Sequence, residues 1–554
     1  MKNSPIKEKI LTHHAKVSGC VVDHSSSGNT KNESEGSPLA TAATGGGLSL
    51  IGAAGWALLA IFLQVLISRF YGPKYYGIFV TSLLVCNLLQ SISALGLHKA
   101  GIRFLSIGHE RSSYNMILDV FRTVAFIPFS FGVIIAIVLY FMSSFIAVTC
   151  FHNIEMVIVL KLFSIAVPFF ALLQVTAELS RGFKTTKYAV IIESLLFPLF
   201  QIVIFIALHA LGYNFLSAVY SFLFAVIVCS LFMLLTVRNQ IQNFMGPTQF
   251  RQFSTKHSIF PRNWKPILAY SLPLTPFGLL FIWGSSIDIF MLNILTNSAG
   301  VGEYAAAHRW IFFPFIVGSL NNIFGPLIAG KLGVNKIEDV RILNGAATRW
   351  MLFITLPISI FLMLAREPMM LIFGEQFLQY GPTVLLILGI GSLFTALSGT
   401  GGLLFVLGDH QYIEFGMLVS FVLLNILLSL LLIPQYGIIG AALATIVSNM
   451  VTVLIRILVI YRYFKIHPFS SHLVVPIVTF SILIIGGLLI QSAFRTSLAL
   501  NLGLGIGSSC LVLISIIATG LDDHDRDLFI MLRKKLPIVD LLLCGLQQWH
   551  KKYS

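Results

Sequence analysis

The sequence predicts an all-α, polytopic membrane protein: about fourteen transmembrane helices in two six-helix parallel-repeat lobes, followed by two C-terminal helices. Three observations predict it. Residue usage is 56% hydrophobic and only 10% charged across 554 residues, whereas a soluble domain carries about 25% charged residues. Apolar runs recur along the chain, each long enough for the roughly 20 helical residues that a hydrocarbon core requires. A short pattern at the first pair of runs returns 225 residues later.

Taken in order, residues 1–44 are polar and rich in Ser, Gly and Thr, as in Ser25-Ser26-Ser27-Gly28-Asn29. Such a stretch buries too little apolar surface to offset its chain entropy, so a disordered tail is expected. It has no short apolar core behind a basic start, so no signal peptide is read there. The apolar runs then fall at 46–69, 76–97, 120–146, 156–180, 188–210 and 214–236, forming an N-terminal lobe over 45–236. A basic, irregular connection covers 237–266. Runs at 267–294, 302–330, 347–365, 382–407, 412–433 and 438–461 form a C-terminal lobe over 267–465. Two more, 472–492 and 498–520, lie in 466–520. The last segment, 521–554, mixes Arg533-Lys534-Lys535 with Leu541-Leu542-Leu543 and reads as an amphipathic helix on the headgroups.

Charge tests the span order. Of 36 Lys and Arg residues, Arg69, Lys74, Arg366 and Arg495 fall on one set of connections, Lys161 and Arg309 fall within spans, and Arg122, Arg349 and Arg456 fall at the opposite ends of their runs, counted with the connections there. All others lie on the alternate connections or the tails, which makes both termini cytoplasmic by the positive-inside rule. The net charge of +14 is therefore an orientation signal spread between spans, and no nucleic-acid partner is expected. The outer connections, such as Thr296-Asn297-Ser298-Ala299-Gly300 and Pro434-Gln435-Tyr436-Gly437, are too short for an external domain. The six cysteines form no CxxC pair and read as small buried hydrophobes, with no metal site.

The halves repeat. Tyr76-Gly77-Ile78-Phe79 opens the second span and Val301-Gly302-Glu303-Tyr304 the eighth; Gly212 precedes the sixth and Gly437 the twelfth, at the same offset of 225. Copies six spans apart enter the membrane from the same side, so they are parallel repeats about an axis along the membrane normal. Two such bundles enclose a cleft. Pro273 and Pro276, with Gly278 and Gly284, make the seventh span the expected bending element. Pro168, Pro198, Pro314 and Pro357 mark further kinks.

The stretch Arg69-Phe70-Tyr71-Gly72-Pro73-Lys74-Tyr75-Tyr76-Gly77-Ile78-Phe79, with Leu95-Gly96-Leu97 and Ile102-Arg103-Phe104 after it, resembles the first helical hairpin of polysaccharide-transporter flippases. These belong to the multidrug/oligosaccharidyl-lipid/polysaccharide (MOP) exporter superfamily. Ser271-Leu272-Pro273, Ile287-Asp288, Gly302-Glu303-Tyr304-Ala305-Ala306-Ala307, Ile372-Phe373-Gly374-Glu375-Gln376-Phe377 and the outer turn Leu432 to Ala444 carry the resemblance on, over about 45–540. It implies a V-shaped pair of six-helix lobes and transport of an undecaprenyl-pyrophosphate-linked oligosaccharide across a cytoplasmic (inner) membrane, for O-antigen, capsule or exopolysaccharide assembly. It also implies, as partners, the lipid-linked oligosaccharide, the bilayer and a polysaccharide polymerase or other assembly proteins. No cofactor is expected. Coupling to H+, to Na+ or to the membrane potential all fit the sequence.

An ionised residue near the bilayer centre costs roughly 2.5–3.5 kcal/mol, so three need a reason: Lys161, Asp288 and Arg309. They stand five, six and seven residues from the outer ends of their runs, roughly 10 Å deep. One reading is a substrate-binding cationic cleft, in which Lys161 and Arg309 attract the pyrophosphate and Asp288 pairs with Arg309. The other is structural: Lys161 snorkels to the headgroups and Asp288–Arg309 is an ion pair holding helices together. Glu178, Glu193 and Glu414 lie near cytoplasmic span ends and read as solvated or paired with basic loops.

The alternative function is a cation-coupled multidrug exporter of the same superfamily. Such exporters use acids in the first bundle, and the first two spans here contain none. A peptidoglycan-precursor flippase shows several arginines in its first two helices, whereas here the first span is uncharged until Arg69. An enzyme is not expected: no HExxH, GxSxG or P-loop pattern stands on an accessible segment.

Overall fold

The computed structural model describes residues 38–519, apart from 184, 248, 250–263, 312, 467–470 and 495–496. Every regular element among them is a helix. In order these are α1 (Pro38–Ala94), α2 (Leu97–Glu110), α3 (Tyr114–Cys150), α4 (Met156–Arg181), α5 (Lys187–Ala210), α6 (Leu216–Met245), α7 (Trp264–Gly284), α8 (Ile287–Leu295), α9 (Ser298–Arg309), α10 (Phe313–Gly333), α11 (Ile337–Leu364), α12 (Arg366–Leu371), α13 (Gly381–Leu397), α14 (Gly401–Leu407), α15 (Gln411–Phe464), α16 (Val474–Ala493) and α17 (Leu498–Thr519). The expected tail 1–44 falls outside the described residues up to 37, and α1 already begins at Pro38. Half of the basic connection 237–266, residues 248 and 250–263, and all of the tail 521–554 also fall outside them, while the stretch 237–245, expected to be irregular, continues α6.

Eleven helices among the described residues are long and apolar enough to cross a membrane, against the fourteen runs read from sequence. Two of the eleven, α1 and α15, are double. Gly72 (φ 75°, ψ 178°) and Gly437 (φ 57°, ψ −129°) leave the helical region in mid-length and turn the chain back. Both backbone conformations are open only to glycine. Two runs expected to be continuous are broken. The seventh contains a 3-10 turn at Leu272–Leu274 and a second break where Ser286 leaves the helical region; Pro273 and Pro276 remove two backbone donors there. The eighth is cut at Trp310–Ile311, between α9 and α10.

Large apolar side chains lie on the surface, Leu58, Phe141, Tyr412 and Leu489 among them; only lipid makes that arrangement favourable. Helices apolar on every side separate by position instead. The most apolar window of α4 is 67% buried, which places it inside its bundle, whereas those of α16 and α17 are 17% buried and face outward. From Ala42 onward the chain is one unit. Within it α2, α3, α4, α5 and α6 pack mutually, α8 to α15 form a second set around α13 and α15, and the pair α16–α17 lies on α11.

The two sets meet at the end that carries the tight turns. Ser68 Oγ donates to the Phe373 carbonyl at 3.1 Å. Arg69 reaches the last carbonyls of α12, with Nε donating to Ile372 O at 2.8 Å and Nη2 to Leu371 O at 3.0 Å. Asn153 Nδ2 donates to Ser298 Oγ at 3.0 Å. The backbones touch at two glycines: a Cβ on Gly77 would stand 1.8 Å from Ser298 O, and one on Gly302 would stand 2.0 Å from Pro73 O. Pro73 and Ser298, like Gly77 and Gly302, are 225 residues apart. Each copy of the repeat thus presents its carbonyl to the other copy's glycine, as a two-fold relation between parallel repeats demands. This is the charge-poor end.

The opposite, basic end is laced by its own charges. Arg181 pairs with Glu178 and Glu193, Lys331 with Asp339, and Arg456 with Glu414 at 2.6 Å. Arg103 lies over the Tyr270 ring at 4.4 Å, joining α2 to α7. The carboxylates at 178, 193 and 414, read as solvated or paired with basic loops, are paired here with Arg181 and Arg456, which lie on the helices themselves. The cysteines at 86, 150, 229 and 510 are free.

Candidate functional site

A cavity of about 670 Å³ lies between the first-half helices and the α7–α9 region of the second half. Its walls come from both arms of α1, from α4, α5 and α6, and from Ile282, Ser285, Ser286, Ile289, Ala305, His308 and Arg309. The two helix breaks position those last residues. Ser285 and Ser286 lie at the break between α7 and α8, and Arg309 ends α9 beside the turn at Trp310. A helix end frees Arg309 from stacking along a continued helix and turns it toward the first half.

The lining runs lengthwise. On α4 it extends from Phe170 to Arg181, about 16 Å of axial rise. Its charge-poor end holds the Arg309 guanidinium, beside the Tyr76 hydroxyl. Tyr76 donates its proton to Gln64 Oε1 at 2.7 Å, and Gln64 is itself a lining residue. Among the described residues no carboxylate pairs with Arg309, so its fork of donors is available to an anion. Along the walls stand the amides Asn87, Gln174 and Gln201, the indole of Trp56, and apolar side chains such as Phe170, Phe197 and Phe222. The basic end holds Arg181 and Glu193. Amides and an aromatic face suit the hydroxyls and apolar faces of sugars. Among the described residues no group of three or more His, Cys, Asp or Glu side chains is set to hold a metal ion.

Of the three charged residues singled out by sequence, Arg309 alone lines this cavity. Lys161 points the other way: its ammonium is 5.3 Å from the ring centroid of Tyr140 on α3, an aromatic that is itself exposed. A helix residue's depth is set by sequence, its direction by packing, and α4 turns position 161 away from the cleft. Asp288 is 3% exposed and does not pair with Arg309. It accepts a hydrogen bond from the Tyr304 hydroxyl, another from Thr445 Oγ1 at 3.4 Å, and one from the Ile289 amide at 2.8 Å. Those contacts tie α8, α9 and α15 together. Glu303, in the same stretch, caps α13 by accepting from the Tyr380 and Gly381 amides at 2.8 and 3.1 Å.

Sequence reading missed the rest of the lining. Gln64, Asn87, Gln174 and Gln201 are neutral amides in apolar runs, a signal that a search for charge passes over. Arg181 and Glu193 were legible as charges, but only as residues of span ends.

Residues 66–382 match the family model of polysaccharide biosynthesis proteins. No curated protein matches the chain. Among solved structures, the lipid II flippase MurJ in its inward closed conformation aligns with TM-score 0.63 at 16% identity, covering 83% of this chain and 97% of MurJ. An inward-facing multidrug-resistance MATE transporter of the MOP superfamily aligns with TM-score 0.58 at 15% identity, covering 78% and 96%. A MOP superfamily transporter from Pyrococcus furiosus aligns with TM-score 0.55 at 16% identity, covering 79% and 99%. The fold is that of these transporters.

Proposed function

Because this chain belongs to the polysaccharide biosynthesis protein family, we propose that it is a flippase for a lipid-linked oligosaccharide, carrying an undecaprenyl-pyrophosphate glycan across the cytoplasmic membrane by alternating access. The observation that carries the reading is the interlobe cavity, with the Arg309 guanidinium free of any described carboxylate and amides along its walls. A phosphorylated headgroup meets the planar donor fork of Arg309, and sugar hydroxyls meet Gln64, Asn87, Gln174 and Gln201. The polyprenyl tail stays in lipid, where each methylene is spared about 0.8 kcal/mol of exposure to water.

The same reading sets the topology. The basic end faces the cytoplasm, both termini included, and the sealed charge-poor end faces outward. A cation-coupled multidrug exporter needs a cavity carboxylate without a cationic partner of its own, whereas Glu193, the carboxylate of this lining, already has Arg181 as its cation at 3.0 Å.

The test is genetic and chemical. Deletion is expected to trap undecaprenyl-linked glycan on the cytoplasmic leaflet and leave drug susceptibility unchanged. Arg309→Ala, expressed in the deletion strain at wild-type level, is expected not to restore export. Restored export would remove Arg309 from the site.

A further inference from the structure

The cavity holds a second guanidinium that the transport reading above does not use. Arg181 closes α4 at the basic end, with Nη1 donating to Glu178 Oε1 at 2.5 Å and Nη2 to Glu193 Oε2 at 3.0 Å. Arg181 and Glu193 both line the cavity, and their side chains stay 29% and 21% exposed. The pair is therefore open to whatever enters. Glu193 stands in the middle of a π-helical stretch, Val190–Leu196. Such widened turns have poorer backbone hydrogen bonding than an α-helix and recur at functional sites.

We propose that Arg181 is the receiving site for the substrate's anionic headgroup, with Glu193 as its exchangeable placeholder: an entering phosphate takes the place of Glu193 on the guanidinium. This rests on the lipid-linked reading and adds a first station to it. Arg181 sits between two carboxylates, Glu178 outside the lining and Glu193 within it, and Glu193 is the one that a ligand in the cavity can meet. Arg181 has five N–H donors in a planar fork. A pyrophosphate carries more charge and more acceptor oxygens than one carboxylate, so it competes for the fork in bidentate fashion. The displaced Glu193 keeps the Gln174 amide as a partner, and Glu178, with His98 near it, holds the guanidinium from the far side.

Phe79, one turn from Tyr76, packs its ring on Phe163 of α4. Phe163 is about 27 Å of axial rise from Arg181. Arg181 and the Tyr76–Arg309 group are thus separate stations, one at each end of the same cavity. An uncharged ligand has nothing with which to displace Glu193, so the exchange also selects for anions.

The experiment uses the full chain in lipid nanodiscs, with undecaprenyl pyrophosphate as probe and uncharged undecaprenol as control. Glu193→Gln removes the competitor and leaves Glu178 on Arg181; it is expected to tighten pyrophosphate binding about threefold to tenfold. Arg181→Gln is expected to weaken it by at least about tenfold, with Arg181→Lys between, since it keeps the charge and loses the fork. Undecaprenol binding should not move. If Glu193→Gln leaves binding unchanged or weakens it, the pair is a structural clasp and the proposal is overturned. If wild-type protein itself prefers neither probe, the lipid-linked reading falls first. If wild type binds the pyrophosphate and all three variants match it, the Arg181 station and its placeholder both fall while the lipid-linked reading stands.

Discussion

Arg309 and Asp288, read at one depth in the sequence, stand on neighbouring helices and serve different neighbours; α9 begins at Ser298, which carries Arg309 about 16 Å from its outer end. Asp288 is closed in by Tyr304 and Thr445, so its work is to bind three helices together. Asp288→Ala leaves the fully buried Tyr304 hydroxyl without its main acceptor, at a cost of about 1–3 kcal/mol. A lowered unfolding temperature in detergent is the expected result, with the smaller loss in Asp288→Asn, which keeps an acceptor oxygen. Wild-type stability combined with lost export would move Asp288 into the transport path. Lys161 is the opposite case. Its contact with an exposed Tyr140 ring contributes at most about 1 kcal/mol, and Lys161→Met is expected to keep export near the wild-type rate. A dead Lys161→Met transporter at normal protein level would put that ammonium back in the cleft.

At the scale of the element, glycine decides where helices turn and proline where they break. Gly437 has no side chain or foreign backbone within 4 Å of the place a Cβ would occupy, yet its φ is 57°. Any cost of Gly437→Ala is therefore backbone strain alone, about 1–3 kcal/mol, and thermal unfolding measures it. Gly416 is the matched control on the same element. It is helical and equally uncrowded, so Gly416→Ala is expected to stabilise by about 0.5–1 kcal/mol. Equal shifts in both variants would contradict the account of the kink. The α7–α8 and α9–α10 breaks matter for a different reason. They free Ser285, Ser286 and Arg309 from continuous helix at the cavity wall, so an element read as a bending hinge also supplies the lining.

The whole molecule is joined at its charge-poor end by contacts that accept no side chain. Gly302→Val places two branches where Pro73 O already stands 2.0 Å from the Cβ position, and the backbones must part. Ser298, 5% exposed, lies under that contact. A cysteine placed at 298 is expected to resist a water-soluble maleimide in the wild-type background and to react readily in Gly302→Val. Gly77→Ala, the other member of the two-fold pair, is expected to do the same. Unchanged labelling in both would show that the end is held elsewhere, by the Arg69 and Ser68 bonds.

The sequence by itself determined the solvent, the apolar runs though not the breaks within the seventh and eighth, the places where α1 and α15 turn, the convergence of basic residues on one end and the repeat. Each is legible because hydropathy and glycine act along the chain, and position along a helix is depth in the membrane. The glycines at 77 and 302 were visible as a pattern, and the packing then showed what the pattern is for. Which side chains face the cavity was decided only by tertiary structure. A helix apolar all round carries no signal for the face that meets a neighbour. Lys161, Asp288 and Arg309 therefore shared a depth in sequence and three different directions in space, while Arg181 and Glu193, read as span ends, turned out to line the same cavity as Arg309.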